Sequence, residues 1–275
     1  MSTIATTSIL SSLPIFIINR VCEQERLRHC RAQLEAFFPS SQIHVFTACE
    51  KQEAIDLRHQ YFTYSAYKNM NYLTTDMILP TWSAAACALS HFRLWQYIVD
   101  MGHPMAMIVE DDFMVVDHEK FLFSFHEIFH LFHHQQMYED TPQCCLMDGH
   151  CLSSMDNYSI KKSIHRIFNN TVRTHCYIMN GAAAQLLCQK FLPITYQVDI
   201  QMCVFTRQYS IFHFYNCADA GTNQCSAFIS QTRYYHPSFE EIGSLLPEFM
   251  AILVYSFLDI HDRPMTNPNN ISYYS

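Results

Sequence analysis

Apolar and polar residues alternate with two different periods near the start of the chain. The segment Pro14–Arg20 is a short apolar run that ends in polar residues, which is typical of a buried strand. In Glu23–Phe38 the apolar residues recur at helical spacing, and Pro39 follows directly. Ile43–Thr47 is a second strand-like segment. A strand, a helix and a strand in this order predict a parallel sheet with helices on its faces.

The rest of the chain continues to alternate between helical and strand patterns, with no internal repeat. Ser83–Met101 is amphipathic at helical spacing, and Ser83 is its predicted N-cap. The polar, tyrosine-rich segment Lys51–Thr75 is predicted to be irregular, and Ser153–Asn170 to be a loop. Strands are further predicted at Gln143–Met147 and Val172–Met179, and helices at Glu119–Gln136, Ala182–Leu192 and Asp199–Gln208.

The segment Ala106–Val109 is an apolar run that ends abruptly in three adjacent acids, Glu110, Asp111 and Asp112. Acids at the carboxyl end of a buried strand lie where α/β folds bind ligands. On an extended backbone Glu110 and Asp112 point to the same side, and their oxygens suit Mg²⁺ or Mn²⁺, with a diphosphate completing the shell. The alternative interpretation is a solvated acidic turn.

Composition narrows the class of protein. The 275 residues are 49% hydrophobic, enough for a sizeable core, and the net charge of −8 without a basic stripe argues against nucleic-acid binding. The 12 cysteines form no Cys-x-x-Cys pair, which indicates a reducing compartment. Only 5 glycines occur and no phosphate-binding glycine loop, so diphosphate binding has to rely on a metal and side chains.

The termini bear on localisation. The Ser/Thr-rich start lacks the features of a signal peptide, so we expect a cytoplasmic protein. The apolar run Leu245–Leu258 is too short to span a bilayer. A packed C-terminal helix is the favoured interpretation, with peripheral docking on a membrane surface as the alternative.

Several motifs occur in an order that resembles glycosyltransferase family 25, which includes bacterial lipooligosaccharide galactosyltransferases and procollagen galactosyltransferases. An Ala-Leu-Ser-His segment with a later Trp, followed by Glu-Asp-Asp, is the most specific part of the resemblance. The motifs are Ile17–Arg20, Glu25–Arg26, Cys87–Trp95, Ile108–Asp112, Thr174–Ala182 and Val198–Asp199.

The resemblance implies a GT-A-like fold over residues 1–240, with 241–275 as a helical extension packed on it. It also implies inverting transfer of a hexose, galactose or glucose, from a UDP-sugar to a hydroxyl of a glycan or protein. Glu110 and Asp112 would hold Mn²⁺ or Mg²⁺, and Asp111 would contact the sugar or ribose. The resemblance also implies that Asn19, Arg20 and Arg26 contact the uridine or the phosphates of the donor. It implies that Ser90 and His91 line the donor pocket.

Two further assignments stay open at this point. For His91, lining the donor pocket and supporting the site by a helix-to-loop hydrogen bond are equal alternatives. Asp199 is the first candidate for the base that inversion requires, although an N-cap role would also explain it, and Asp148 is the second.

One segment departs from the family pattern. Trp82–Ala86 stands where the family usually carries glycines and a glutamate. This departure motivates an alternative function, a non-catalytic glycan-binding or scaffolding relative on the same fold. The sequence leaves the acceptor and the oligomeric state undetermined.

Overall fold

The computed structural model describes residues 13–72, 78–134, 141–147, 150–151, 158–159, 164–167, 171–217 and 220–222. Strands and helices alternate within these residues. The strands are β1 (Ile15–Asn19), β2 (Ile43–Thr47), β3 (Met105–Glu110), β4 (Gln143–Met147), β5 (His150–Cys151), β6 (Tyr158–Ser159), β7 (Ile164–Arg166), β8 (Thr171–Val172), β9 (Cys176–Asn180) and β10 (His213–Cys217). The α-helices are α1 (Gln24–Glu35), α2 (Lys51–Asp56), α3 (Arg58–Tyr61), α4 (Tyr64–Tyr72), α5 (Trp82–Asp100), α6 (His118–His134), α7 (Gly181–Lys190) and α8 (Val198–Gln208).

Eight strands form one sheet in the order β2-β1-β3-β9-β4-β10-β7-β6. β1 pairs in parallel with β2 and β3, and β4 pairs in parallel with β10. β9 is antiparallel to β3 and β4, while β7 is antiparallel to β10 and β6. Six of these eight described strands therefore point in one direction, which confirms the predicted α/β fold with a mostly parallel sheet.

Helices cover both faces of this sheet, as predicted. Successive strand residues point to opposite faces, so Phe16 and Ile18 pack into the core beneath α5, α7 and α8. Ile15 and Ile17 face the other way, into a second core with α1 and α6. A strand buried on both faces reads as a continuous apolar run, which explains why β1 lacks a polar alternation.

The register brings three strand ends to one edge. Ile18 of β1 lies beside Phe46 of β2 and Glu110 of β3. Because these strands are parallel, the residues that follow them meet in one region, at the carboxyl edge of the sheet.

The prediction that Lys51–Thr75 is irregular is wrong. The segment forms α2, α3 and α4, and its buried residues Ala54, Ala66 and Met70 join the core beneath α5. These apolar positions are too widely spaced along three short helices to give a recognisable period.

Two other sequence predictions need correction. Thr81, rather than Ser83, is the N-cap of α5, since its hydroxyl accepts a hydrogen bond of 3.1 Å from the backbone N–H of Ala84. The predicted loop Ser153–Asn170 contains β6 and β7, which extend the sheet.

The predicted strand Val172–Met179 is divided in two. Thr171–Val172 pairs with β5 in a separate two-stranded sheet, and Cys176–Asn180 joins the main one. Arg173 lies between them with a φ of 88°, a left-handed conformation that turns the chain from one sheet to the other.

Asp148 and the predicted C-terminal extension 241–275 lie outside the described residues. No helix in the described part of the chain has the length and hydropathy needed to cross a membrane.

Candidate functional site

A pocket of about 270 Å³ opens at the carboxyl ends of β1, β2 and β3. The first half of α5 also lines this pocket. The residues that line the pocket are Ile18, Arg20, Arg26, Ala48, Cys49, Lys51, Ser83, Ala86, Cys87, Ser90, His91, Glu110 and Asp111. The sequence-predicted donor residues Arg20, Arg26, Ser90, His91 and Asp111 are therefore brought together, with Glu110, around one cavity.

Asn19 and Arg26 hold the acidic turn that follows β3. The Asn19 side-chain amide donates a 2.8 Å hydrogen bond to Asp111 Oδ2 and a 3.1 Å bond to the Glu23 carbonyl. Arg26 Nη2 lies 3.3 Å from Asp111 Oδ1 and 3.4 Å from Asp112 Oδ2. One guanidinium thus bridges both aspartates and offsets part of their mutual repulsion.

Glu110 stays ionised although it faces this cluster. Burial alone would raise its pKa, but the neighbouring His91 ring and a 2.7 Å hydrogen bond from the Thr174 hydroxyl outweigh burial and lower the pKa of Glu110 to about 2. His91 Nε2 lies 3.3 Å from Glu110 Oε1, although the pair is not aligned as a hydrogen bond. Glu110 therefore contributes a fixed negative charge to the pocket wall.

The charge of Glu110 affects the pKa of Asp112. Burial and repulsion by Glu110 raise its pKa to about 7, against the opposing effect of Arg26. Burial also raises the pKa of Asp111, while Arg26 and Asn19 oppose the rise. Asp112 Oδ1 is buried and accepts no hydrogen bond among the described residues. A buried carboxylate oxygen without a donor, beside two other acids, fits a site for a cation with oxygen ligands.

The prediction that Glu110 and Asp112 point to the same side of an extended strand is wrong. β3 ends at Glu110, and Asp111 and Asp112 lie in a turn, so the alternation of an extended strand does not place these two side chains. The turn returns the chain onto itself, since the N–H of Phe113 donates to the Glu110 carbonyl at 3.0 Å. The two carboxylates are nevertheless close enough for Glu110 to raise the pKa of Asp112.

Basic side chains also line the pocket. Arg20 is half exposed and makes two contacts with Glu50 Oε2, 3.3 Å from Nε and 3.1 Å from Nη2. Lys51, at the start of α2, lines the same space. Lys51 is not among the site residues predicted from the sequence, because it lies in the segment that was predicted to be irregular.

The Ser90 hydroxyl joins α5 to the chain that follows β2. It donates to the Ala86 carbonyl at 2.7 Å and accepts from the Cys49 N–H at 2.8 Å. Ser90 lines the pocket, but its only proton is already used within the protein.

Beneath the pocket, His91, Tyr177 and Trp95 form a fully buried hydrogen-bonded group. The Tyr177 hydroxyl accepts a 2.8 Å hydrogen bond from Trp95 Nε1 and lies 2.9 Å from His91 Nδ1. His91 therefore both lines the pocket and supports it, and its supporting bond runs to strand β9 instead of a loop. The spacing of His91 and Trp95 on one helix face is visible in the sequence, whereas their meeting with Tyr177 depends on the sheet order.

Asp199, the first candidate base, lies in the first turn of α8. The N-cap is Gln197, so the N-cap role considered for Asp199 is wrong in position. Its Oδ2 accepts a 2.9 Å hydrogen bond from the N–H of Arg173, and its Oδ1 accepts a 2.8 Å bond from the N–H of Ile200. Burial raises the pKa of Asp199 above its ordinary value, against these two hydrogen bonds, and the charge of Glu110 raises it further. Asp199 therefore lies within electrostatic reach of the acidic cluster.

An α/β sheet with acids and cations gathered at the carboxyl edge of its parallel strands is typical of proteins that bind an anionic ligand together with a metal ion. The family model described as glycosyltransferase family 25 (LPS biosynthesis protein) matches residues 12–202. The match covers most of the chain and every residue that lines the pocket. The chain belongs to glycosyltransferase family 25, which supports a transferase that moves a sugar from a nucleotide-sugar donor to an acceptor. None of the curated proteins matches the sequence.

Proposed function

We propose that this protein is an inverting, metal-dependent hexosyltransferase that uses a UDP-sugar, with galactose or glucose as the hexose. The acceptor is a hydroxyl group of a glycan or a protein. The observation that carries the proposal is the pocket itself, in which Glu110 and Asp111 line the same cavity as Arg20, Arg26 and Lys51. The negative charge of a nucleoside diphosphate can be balanced by basic side chains and by a metal ion, and this cavity, together with the adjacent Asp112, offers groups for both.

The basic residues suit the diphosphate of the donor. Arg26 pairs with Asp111 and Asp112, so its guanidinium is held beside the acidic turn. Arg20 is half exposed, and its ion pairs within the described part of the chain are with the surface acids Glu23 and Glu50, which it can leave at little cost. Asn19 fixes Asp111, which orients that carboxylate for a ribose or sugar hydroxyl.

The carboxylate oxygens of these acids are suitable ligands for Mn²⁺ or Mg²⁺. Asp112 Oδ1 lacks a hydrogen bond among the described residues, and burial together with the charge of Glu110 raises the pKa of Asp112, so a bound cation would stabilise its ionised form. Asp112 and Glu110 are the residues that would hold the ion. When bound, it neutralises the negative charge that develops on the leaving diphosphate.

Asp199 is the base in this proposal. The acceptor oxygen forms a bond to the anomeric carbon, the bond from that carbon to the diphosphate oxygen breaks, and UDP leaves with the electron pair. The acceptor proton passes to a carboxylate oxygen of Asp199, whose raised pKa improves its match to the proton it takes. The N–H groups of Arg173 and Ile200 hold this carboxylate and leave each oxygen a free lone pair. Asp148 remains the second candidate for the base.

The experiment is a panel of UDP-galactose, UDP-glucose, UDP-N-acetylglucosamine and GDP-mannose, each tested with Mn²⁺ and with EDTA. We expect metal-dependent thermal stabilisation and slow release of UDP with one of the UDP-hexoses. Asp112→Asn should abolish both responses without unfolding the protein, whereas Asp56→Asn, at an exposed aspartate on α2, should change neither. Full turnover in Asp112→Asn would refute the metal assignment.

A non-catalytic relative is the second candidate function. It is favoured by Ser83 and Ala86, which line the pocket and belong to the segment that departs from the family pattern. If the protein is such a non-catalytic relative, it should be folded and respond to no donor in the same panel. Binding of a donor without release of UDP would instead place the defect after donor binding.

A further inference from the structure

Cys87, His91 and Glu110 bring three different ligand atoms together in the pocket wall. Cys87 and His91 are four residues apart on α5 and so share one face of the helix, while Glu110 ends β3 opposite them. The Cys87 sulfur, a His91 ring nitrogen and a Glu110 carboxylate oxygen all lie within 4.8 Å of one another. All three residues line the cavity, so a small ion can reach them from solvent.

His91 supplies an independent indication that this cluster takes a ligand. Its side chain is fully buried, yet Nε2 makes no hydrogen bond. Buried ring nitrogens are normally hydrogen-bonded, so an unpaired one needs an explanation. When a metal binds, Nε2 releases its proton and offers its lone pair beside Glu110, while Nδ1 keeps a proton and donates to the Tyr177 hydroxyl. A metal-bound histidine usually has its other nitrogen fixed in this way.

We propose that Cys87, His91 and Glu110 form a binding site for Zn²⁺ or a similar transition-metal cation, separate in ligand chemistry from the Asp112 site. Mg²⁺ and Mn²⁺ prefer oxygen ligands, whereas Zn²⁺ accepts sulfur, nitrogen and carboxylate oxygen in a tetrahedral shell. Three protein ligands would leave the fourth position of such a shell to a water molecule. The zinc–sulfur bond forms as the Cys87 thiol releases its proton to solvent.

Glu110 belongs to both sites, which has a consequence for the metal dependence. Zn²⁺ bound to Glu110 withdraws this carboxylate from the site at Asp112. Zn²⁺ and Mn²⁺ therefore compete, and micromolar Zn²⁺ should weaken the stabilisation of the protein by Mn²⁺ even in the absence of a donor.

The test uses Co²⁺ as a spectroscopic substitute for Zn²⁺ in the full-length, reduced protein. We expect one equivalent of Co²⁺ to give a thiolate-to-metal charge-transfer band in the near ultraviolet, and Zn²⁺ to abolish it. Cys87→Ser should lose the band. Cys188→Ser, which alters a partly buried cysteine on α7 outside the cluster, should keep it. Absence of the band from the wild type, or its survival in Cys87→Ser, would overturn the proposal.

A second measurement does not depend on any variant folding. X-ray absorption of the wild-type protein with one equivalent of Zn²⁺ should show one sulfur at about 2.3 Å and nitrogen or oxygen atoms at about 2.0–2.2 Å. A shell of nitrogen and oxygen alone would contradict the Cys87 ligand. Neither measurement involves a sugar donor, so its result is separate from the success or failure of the proposed transferase activity.

Discussion

The Tyr177→Phe variant tests whether the buried group below the pocket supports the fold. Phenylalanine keeps the ring and removes only the hydroxyl, which contacts Trp95 Nε1 at 2.8 Å and His91 Nδ1 at 2.9 Å. Tyr177, Trp95 and His91 are all fully buried, so water cannot replace the lost partner. The substitution therefore leaves a buried donor on Trp95 and a buried nitrogen on His91 unsatisfied.

The expected loss of stability follows from these two groups. Each unsatisfied buried polar group costs about 1–3 kcal/mol. The variant no longer has to bury a hydroxyl, which offsets part of the sum and leaves a loss of about 2–4 kcal/mol. At roughly 2–4 °C per kcal/mol for a chain of this size, the melting temperature should fall by about 4–16 °C.

Thermal and urea unfolding of the purified protein measure this loss. Tyr97→Phe is the matched control, because Tyr97 on α5 is 40% exposed and its hydroxyl can be hydrated. We expect this control to change stability by less than about 0.5 kcal/mol. Combining Tyr177→Phe with Trp95→Phe should show a coupling energy of about 0.5–3 kcal/mol. Equal melting temperatures for Tyr177→Phe and Tyr97→Phe would refute the reasoning.

Three further predictions address the base, a tight turn and a histidine. Asp199→Asn should lower the rate of sugar transfer to an acceptor by a factor of about 10²–10⁴, while donor binding, measured by thermal shift, persists. An unchanged rate of sugar transfer would mean that another residue is the base. Gly221→Ala should destabilise the protein far more than Gly102→Ala, because an added Cβ lies 2.4 Å from the Asp117 carbonyl oxygen at Gly221 and meets nothing within 4 Å at Gly102, although both φ angles are positive; similar urea midpoints for the two variants would contradict the predicted clash. Burial, with a smaller contribution from His44, lowers the pKa of His103, so the stability that His103 contributes is present above about pH 6.5 and is lost as the pH falls through the lower folded-state pKa. Between about pH 7 and pH 5 the wild type should therefore lose more stability than His103→Gln in parallel melts, and parallel curves would show that His103 is not the group responsible.

Most of the fold was predictable because the strands β1, β3 and β4 are buried on both faces. β1, β2, β3 and β4 appear in the sequence as short apolar runs bounded by polar residues, and their ends are correct to within one or two residues. The helices α1 and α5 were predictable from a single apolar period over several turns. The short helices α2–α4 were not, because each is too brief to establish a period.

The candidate site also has parts that were predictable from the sequence and parts that were not. The acids after β3 were predictable, because three carboxylates at a strand end have few structural explanations. The Trp95–Tyr177–His91 group was not, because β9 lies far along the chain and pairs beside β3 only through the sheet order. The left-handed conformation of Arg173 also has no signal in the sequence, since glycine or asparagine would be the usual residue there.

The central position of β9 has a consequence for synthesis of the chain. In the described sheet β9 is the strand that joins the β2-β1-β3 half to the β4-β10-β7-β6 half, and it is hydrogen-bonded to both β3 and β4. Until residues 176–180 leave the ribosome, β3 and β4 are two apolar strands with open edges, of the kind that pairs with other chains. A nascent chain stalled before residue 176 should therefore bind holdase chaperones and aggregate when released. A chain extended past β10 can pair β9 with both β3 and β4 and so cover their open edges.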